Sequence, residues 1–243
     1  TGTFFARVMF DRVADDAAYA ALRAEFETIA SEFSFKWQMR PRAKRKRVMI
    51  LVSKSDHCLA DLIYRWRIGE LAMEPVGIIS NHPRETYGHV DLEGVPFHYL
   101  PVTRETKMEQ EAEVWRLIRE AETDVVVLAR YMQVLSDGLA AKLAGRCINI
   151  HHSFLPGFKG ANPYRQAHER GVKLIGDTAH FVTPVLDEGP IIEQDVVRID
   201  HGDVEEDLIR YGRDIEKSVL ARGLKYHIED RVLLAGNRTV VFR

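Results

Sequence analysis

The 243-residue sequence predicts an α/β protein, a doubly wound and mostly parallel sheet preceded by a partial α+β domain. Three observations carry that expectation. From residue 48 onward, short apolar runs alternate with stretches of helical periodicity, the βαβ rhythm of a parallel sheet. The run 124–129, Asp-Val-Val-Val-Leu-Ala, is apolar almost throughout, as in a strand covered on both faces. Ahead of residue 42 the order is instead strand, helix, strand.

Residues 3–10 alternate large apolar with small or polar side chains and predict a strand. Residues 16–33 set Tyr19, Leu22, Phe26, Ile29, Ala30 and Phe33 at helical spacing, and 35–39 predict a second strand. The sequence opens at Thr1, without a methionine and directly into strand-like residues, so an upstream segment is expected to be missing. Residues 1–41 thus form about half of a small α+β domain. Pro41 and the basic residues Arg42, Lys44, Arg45, Lys46 and Arg47 mark a boundary. With a net charge of −2, the stretch 42–47 is read as a solvated linker rather than a nucleic-acid or membrane patch. The second domain is then 48–243. Its strands are expected at 48–53, 75–80, 96–100, 124–129 and 147–151. Helices are expected at 58–69, capped by Ser55 or Asp56, at 107–120 and at 137–144. A helix at 163–170, a strand pair at 174–183 and 191–197, a helix at 204–227 and a hairpin at 232–234 and 239–242 complete it.

Composition narrows the function class. A hydrophobic share of 46% and a charged share of 29% are those of a soluble globular protein. The near-neutral charge supplies no basic field for nucleic acid. Two cysteines, Cys58 and Cys147, exclude a disulfide scaffold and fit a reducing cytoplasm. No apolar run approaches the ~20 residues that span a bilayer, and no signal-peptide pattern opens the sequence. A cytoplasmic protein with neither nucleic acid nor membrane as partner is expected.

Residues 149–153 read Asn-Ile-His-His-Ser, before Phe-Leu-Pro-Gly. Strand alternation puts Asn149 and His151 on one face, ~6.6 Å apart along the axis, and Pro156 and Gly157 end the strand. Doubly wound sheets place their chemistry outside the carboxyl ends of the strands, where this pair falls. An amide donor beside an imidazole, a group that can donate, accept or carry a proton, makes a plausible reaction centre. A second run, 178–185, carries His180 and ends in Leu-Asp-Glu-Gly-Pro. Asp187 there is an ordinary turn residue by itself; a hairpin folding back over the same sheet edge would bring it to Asn149 and His151. The three together suit acyl transfer through a tetrahedral oxyanion. Asn149 and His151 stabilise the oxyanion, and Asp187 orients His151 or a water and helps move the proton. Ser153 reads as a turn-capping hydroxyl.

The motifs Asn-Ile-His, Ser-Phe-Leu-Pro and His-Phe-Val-Thr-Pro-Val-Leu-Asp-Glu-Gly-Pro, in this order, resemble the formyltetrahydrofolate-using superfamily over roughly residues 48–242. The resemblance implies a formyltransferase-like, Rossmann-type fold, with Asn149, His151 and Asp187 as the catalytic Asn, His and Asp. It also implies that Tyr131, Met132, Gln133, Val134 and Leu135 form the folate-pocket strand end, with Thr183, Pro184 and Lys159 at the substrate. From the residues alone, the first five are a strand-to-loop transition with core side chains, and Lys159 and Asn162 either touch substrate or are solvated. Transformylases that use a nucleotide have a glycine- and serine-rich phosphate loop after the first strand. Here that loop is Val52-Ser-Lys-Ser-Asp-His-Cys58, without glycine. A basic C-terminal nucleic-acid domain, as in the tRNA-using members, is absent from this sequence. Water is then the acceptor left. Lys-Ser-Asp-His-Cys-Leu-Ala-Asp-Leu, Gly-Phe-Lys-Gly-Ala-Asn-Pro-Tyr and Arg-Asp-Ile-Glu-Lys resemble the deformylases of this superfamily, which hydrolyse 10-formyltetrahydrofolate. They carry an N-terminal ACT domain, whose second half is similar to residues 1–41. That resemblance implies a small amino-acid effector and, through exposed apolar residues, a homo-oligomer. Folate is the substrate, and no cofactor or metal is expected.

The alternatives are a formyltransferase with an amine acceptor such as glycinamide ribonucleotide, a nucleotide or redox module, and an ACT regulator. The second lacks a Gly-x-Gly-x-x-Gly turn after strand one, and the third leaves most of the chain unexplained. His57, Cys58, His151, His152 and His180 lack close-spaced zinc-ligand patterns. His57 is read as a helix-start residue, and His180 as either a partner of the site or a hydrogen-bonded core histidine.

Overall fold

A computed structural model describes residues 2–11, 13–157 and 163–243. The chain divides into two compact units, Thr1–Lys44 and Arg45–Arg243.

In the first unit, helix α1 (Asp16–Glu32) starts at Asp15, whose carboxylate accepts from the Ala18 N–H at 2.8 Å, satisfying one orphan donor of the first turn. The strands expected at 3–10 and 35–39 do not form in the described residues. Alternation marks which faces a strand would present, but a strand needs a neighbour to pair its backbone. Phe4 and Val8 are 88% and 76% exposed, so residues 3–10 bury no face. The segment after α1 packs on the helix itself. Trp37 meets Phe26 edge-on with ring centroids 4.9 Å apart, and the Tyr19 hydroxyl donates to the Met39 carbonyl at 2.8 Å.

The second unit opens with β1 (Lys46–Val52), so Lys46 and Arg47 of the expected linker belong to a strand. Then follow α2 (His57–Arg67), β2 (Met73–Ser80), a 3-10 turn at Arg84–Tyr87 with no sequence counterpart, β3 (Phe97–Tyr99) and α3 (Lys107–Glu120). They are followed by β4 (Val125–Leu128), α4 (Asp137–Lys142), β5 (Cys147–His151), α5 (Pro163–Glu169), β6 (Leu174–Phe181) and β7 (Ile191–Arg198). The long α6 (Glu205–Ile228) and a hairpin, β8 (Val232–Ala235) and β9 (Arg238–Val241), end the chain. The sheet order is β3-β2-β1-β4-β5-β6-β7. β3 to β5 are parallel, whereas β6 and β7 join antiparallel.

Alternation sorts the strand residues between two covered faces. Val48, Ile50, Val52, Val125 and Val127 pack with α2 and α6. Met49, Leu51, Val126 and Leu128 pack with α3 and α4. Each fully buried Ile, Leu or Val contributes about 1.5–3 kcal/mol, which is why β1 and β4 are apolar on both sides. Among the described residues, no helix is long and apolar enough to cross a membrane. The strand order reverses between β1 and β4, and β5 is the next strand beyond this switch point.

Candidate active site

The end of β5 presents Asn149 and His151 to the antiparallel neighbour β6. Asn149 stands opposite His180 and His151 opposite Thr178. The Asn149 amide nitrogen lies 3.2 Å from His180 Nε2, and His180 Nδ1 lies 2.9 Å from the Phe181 carbonyl. A carbonyl only accepts, so Nδ1 carries the hydrogen, Nε2 accepts from Asn149, and the ring is neutral. Burial pushes the His180 pKa down, against the Phe181 bond and the Asp187 charge. His180 is thus both a core histidine and a partner of the site: it sets which way the Asn149 amide faces.

Asp187 comes from the loop after β6. It sits in the left-handed region, φ +57, a conformation Asp tolerates better than most residues. Gly189 holds the loop down, since a Cβ there would lie 1.7 Å from the Phe181 carbonyl oxygen. Asp187 Oδ1 is then 3.3 Å from His151 Nδ1 and 4.0 Å from His180 Nε2. Burial works to raise the Asp187 pKa, but the bond to His151 and the histidines around it hold it below the ordinary carboxylate value. With Nδ1–H aimed at this carboxylate, His151 Nε2 is the working nitrogen, and it is buried without a hydrogen-bond partner among the described residues. Asn149, His151 and Asp187, named separately from the sequence, therefore meet. The Ser153 hydroxyl donates to the Gly157 carbonyl at 2.9 Å, the turn cap expected of it.

The segment after β4 is stitched to the end of β1. Ser53 N–H donates to the Arg130 carbonyl at 3.2 Å, and Met132 N–H donates to Ser53 Oγ at 3.0 Å. Met132 and Val134 are exposed, and Gln133 and Leu135 half-buried. Tyr131 is turned into the core, its hydroxyl accepting from Gln110 Nε2 at 2.9 Å. Thr183 is half-buried and Pro184 exposed, in the same loop as Asp187. Lys159 and Asn162 lie outside the described residues. A cavity of about 390 Å³ nearby is lined by His152, Phe154, Tyr164, Ile175 and Val196 among others, and includes none of Asn149, His151 and Asp187.

Sequence reasoning missed a buried polar network one step from the site. Glu216 of α6 receives Arg130 Nη1 at 3.2 Å and the Tyr164 hydroxyl at 3.0 Å on Oε1, and lies 2.5 Å from His57 Nε2 through Oε2. Tyr164 Oη is also 3.2 Å from Asp177 Oδ1 on β6. The Tyr164 hydroxyl, with one proton, faces two carboxylates, and Asp177 is the one that keeps a proton of its own. Its pKa is pushed up to about 9, by burial and then by the Glu216 charge. Burial also works to raise Glu216, but His57 and Arg130 hold it low. Tyr164 approaches α6 because residue 212 is glycine: a Cβ there would lie 2.0 Å from Tyr164 Oη. His57, Cys58 and Glu216 bring possible ligand atoms within 4.8 Å of one another. Arg130 already neutralises Glu216, and burial and the Glu216 charge keep Cys58 a thiol, whereas a metal needs the thiolate. The signal for this network was a lone Asp in the apolar run 174–181 and Glu216 one turn after Gly212 on the apolar face of α6.

An amide, an imidazole and a carboxylate at the carboxyl end of a doubly wound sheet define an acyl-group enzyme without a serine or cysteine nucleophile. The family model described as formyl transferase matches residues 46–224. A formyltetrahydrofolate deformylase of Corynebacterium sp. (strain P-1) is 50% identical over 242 residues, covering 100% of this chain and 84% of that protein. The crystal structure of a Burkholderia mallei formyltetrahydrofolate deformylase aligns with TM-score 0.88 and 56% identity, over 93% of this chain and 80% of that one. A glycinamide ribonucleotide transformylase of Symbiobacterium toebii is more distant, at TM-score 0.75 and 28% identity over 86% and 99% of the two chains. The chain belongs to the formyltetrahydrofolate deformylase family, within the formyl transferases.

Proposed function

We infer that this protein hydrolyses 10-formyltetrahydrofolate to tetrahydrofolate and formate, an activity supported by the deformylases it resembles along nearly its whole length. The observation that carries the chemistry is the contact of His151 with Asp187, beside an Asn149 amide held by His180. Asp187 holds His151 so that Nε2 takes a proton from an attacking water. The water oxygen bonds to the formyl carbon, and the carbonyl electrons move to an oxyanion held by the free Asn149 amide hydrogen and by protonated His151. Collapse breaks the bond to the folate nitrogen, which leaves with the proton from His151 or solvent. Lys159, Thr183, Pro184 and residues 131–135 are proposed to hold the folate. The reading needs no cofactor and implies a cytoplasmic enzyme. The apolar side chains exposed in the first unit support a homo-oligomer, with a small amino-acid effector at that unit.

The test is tetrahydrofolate release from 10-formyltetrahydrofolate with and without glycinamide ribonucleotide. Release at the same rate in both supports hydrolysis. Release only with the nucleotide makes the protein a transferase.

A further inference from the structure

Three of the chain's own side chains converge at the switch-point crevice, where a doubly wound sheet offers space to a ligand. α2 starts at the end of β1 with His57, Arg130 follows β4, and Glu216 reaches in from α6 to pair with both. Their side chains are 16%, 15% and 2% exposed, so these polar groups face one another rather than the solvent. Arg130 takes the left-handed conformation, φ +62, at this spot. That conformation is costly for a residue other than glycine, and here its guanidinium meets Glu216 while its carbonyl accepts from Ser53. The cluster is linked to the reaction centre through two side chains: Glu216 accepts from the Tyr164 hydroxyl, the Tyr164 ring lies 6.2 Å from the His152 ring, and that ring lies 5.4 Å from that of His151.

We propose that the His57–Arg130–Glu216 cluster is a specificity-determining block that closes the crevice through which an amine acceptor would reach the reaction centre and leaves water as the nucleophile. Its members are positioning residues that act by exclusion. The inference rests on the hydrolase reading and deepens it. With an amine as acceptor, its nitrogen bonds to the formyl carbon, the bond to the folate nitrogen breaks, and one amine proton ends on that nitrogen. The products are a formamide and tetrahydrofolate. With water the products are formate and tetrahydrofolate. Both routes use the same His151 and Asp187, so the product ratio reports which acceptor gains access. A carboxylate already paired with a guanidinium and an imidazole also has no free face to anchor an ammonium group.

The experiment supplies 10-formyltetrahydrofolate and glycinamide, and quantifies tetrahydrofolate, formate and N-formylglycinamide by mass spectrometry. Wild type should give formate, with N-formylglycinamide at the level of an enzyme-free blank. His57→Ala opens the space between α2 and Glu216 and should raise the formamide share of product by about tenfold or more. A His57→Ala protein that melts cooperatively yet keeps the wild-type product ratio overturns the block. Should that variant not fold, wild type decides alone. Glycinamide without effect on its tetrahydrofolate release supports the block, and saturable inhibition or transfer to glycinamide overturns it. One equivalent of tightly bound metal in purified wild type, lost in His57→Ala, would also overturn it, since the cluster would then be a ligand set. Wild type that releases no tetrahydrofolate without an amine refutes the hydrolase reading itself, a different failure from an unchanged ratio.

Discussion

Replacing Asp177 with asparagine should stabilise the protein above neutral pH, by an amount that grows with pH. Asp177 Oδ1 and Glu216 Oε1 lie 3.2 Å and 3.0 Å from one tyrosine hydroxyl, that of Tyr164. Burial and the Glu216 charge push the Asp177 pKa up to about 9, whereas an aspartate in the unfolded chain titrates near ~3.9. Below the unfolded value both states hold the proton and the group takes nothing from stability. As pH rises from there toward about 9, only the folded state keeps it. Folding then takes up a proton, and stability falls by about 1.4 kcal/mol per pH unit. Between pH 6 and pH 8 wild type should lose about 3 kcal/mol through this one group. Asparagine has no proton to lose, and its amide oxygen can accept from the Tyr164 hydroxyl as Asp177 Oδ1 does. Urea unfolding of wild type and Asp177→Asn at three pH values in this range measures the gap, which should widen by that amount. Two stability profiles running in parallel would refute the reasoning, because Asp177 would then be ionised beside Glu216.

Asn149→Ala removes one oxyanion donor and should lower kcat by about two to three orders of magnitude; a loss below tenfold would take Asn149 out of the transition state. Asp187→Asn keeps the shape of the loop but removes the charge 3.3 Å from His151 Nδ1, so turnover should be lost while folate binding, read by calorimetry, stays nearly intact. An active variant removes Asp187 from the mechanism. Gly212→Ala would put a methyl 2.0 Å from Tyr164 Oη and displace the ring from Glu216. Overpacking of about 1–3 kcal/mol and a lost bond to a charged group of about 1.5–3 outweigh the ~1 kcal/mol that alanine adds to a helix. The net loss is about 1.5–5 kcal/mol, and a denaturation midpoint at or above wild type would contradict it.

The sheet and the reacting side chains were legible because both are written in local patterns. The apolar runs at β1 and β4 say parallel and buried, and Asn149 and His151 share a face by alternation alone. Asp187 was legible through the turn that carries it and the motif around it. Its distance to His151 was not, since that depends on how Gly189 packs against Phe181. The strands expected at 3–10 and 35–39 failed because alternation is silent on whether a pairing neighbour exists. The network around Glu216 was hidden for another reason. Its members stand at positions 57, 130, 164, 177 and 216, on five segments, and only the fold brings them together. Left-handed backbone at Arg130 leaves no trace in composition, because arginine has no preference for it.

The source of the second formate oxygen tests the central claim most directly. Turnover of 10-formyltetrahydrofolate in water enriched in oxygen-18, with formate analysed by mass spectrometry, follows the attacking nucleophile itself. Attack by water at the His151–Asp187 pair predicts one labelled oxygen in each formate and one tetrahydrofolate for each formate. Tetrahydrofolate released without labelled formate, the formyl group having passed to an amine instead, would contradict it.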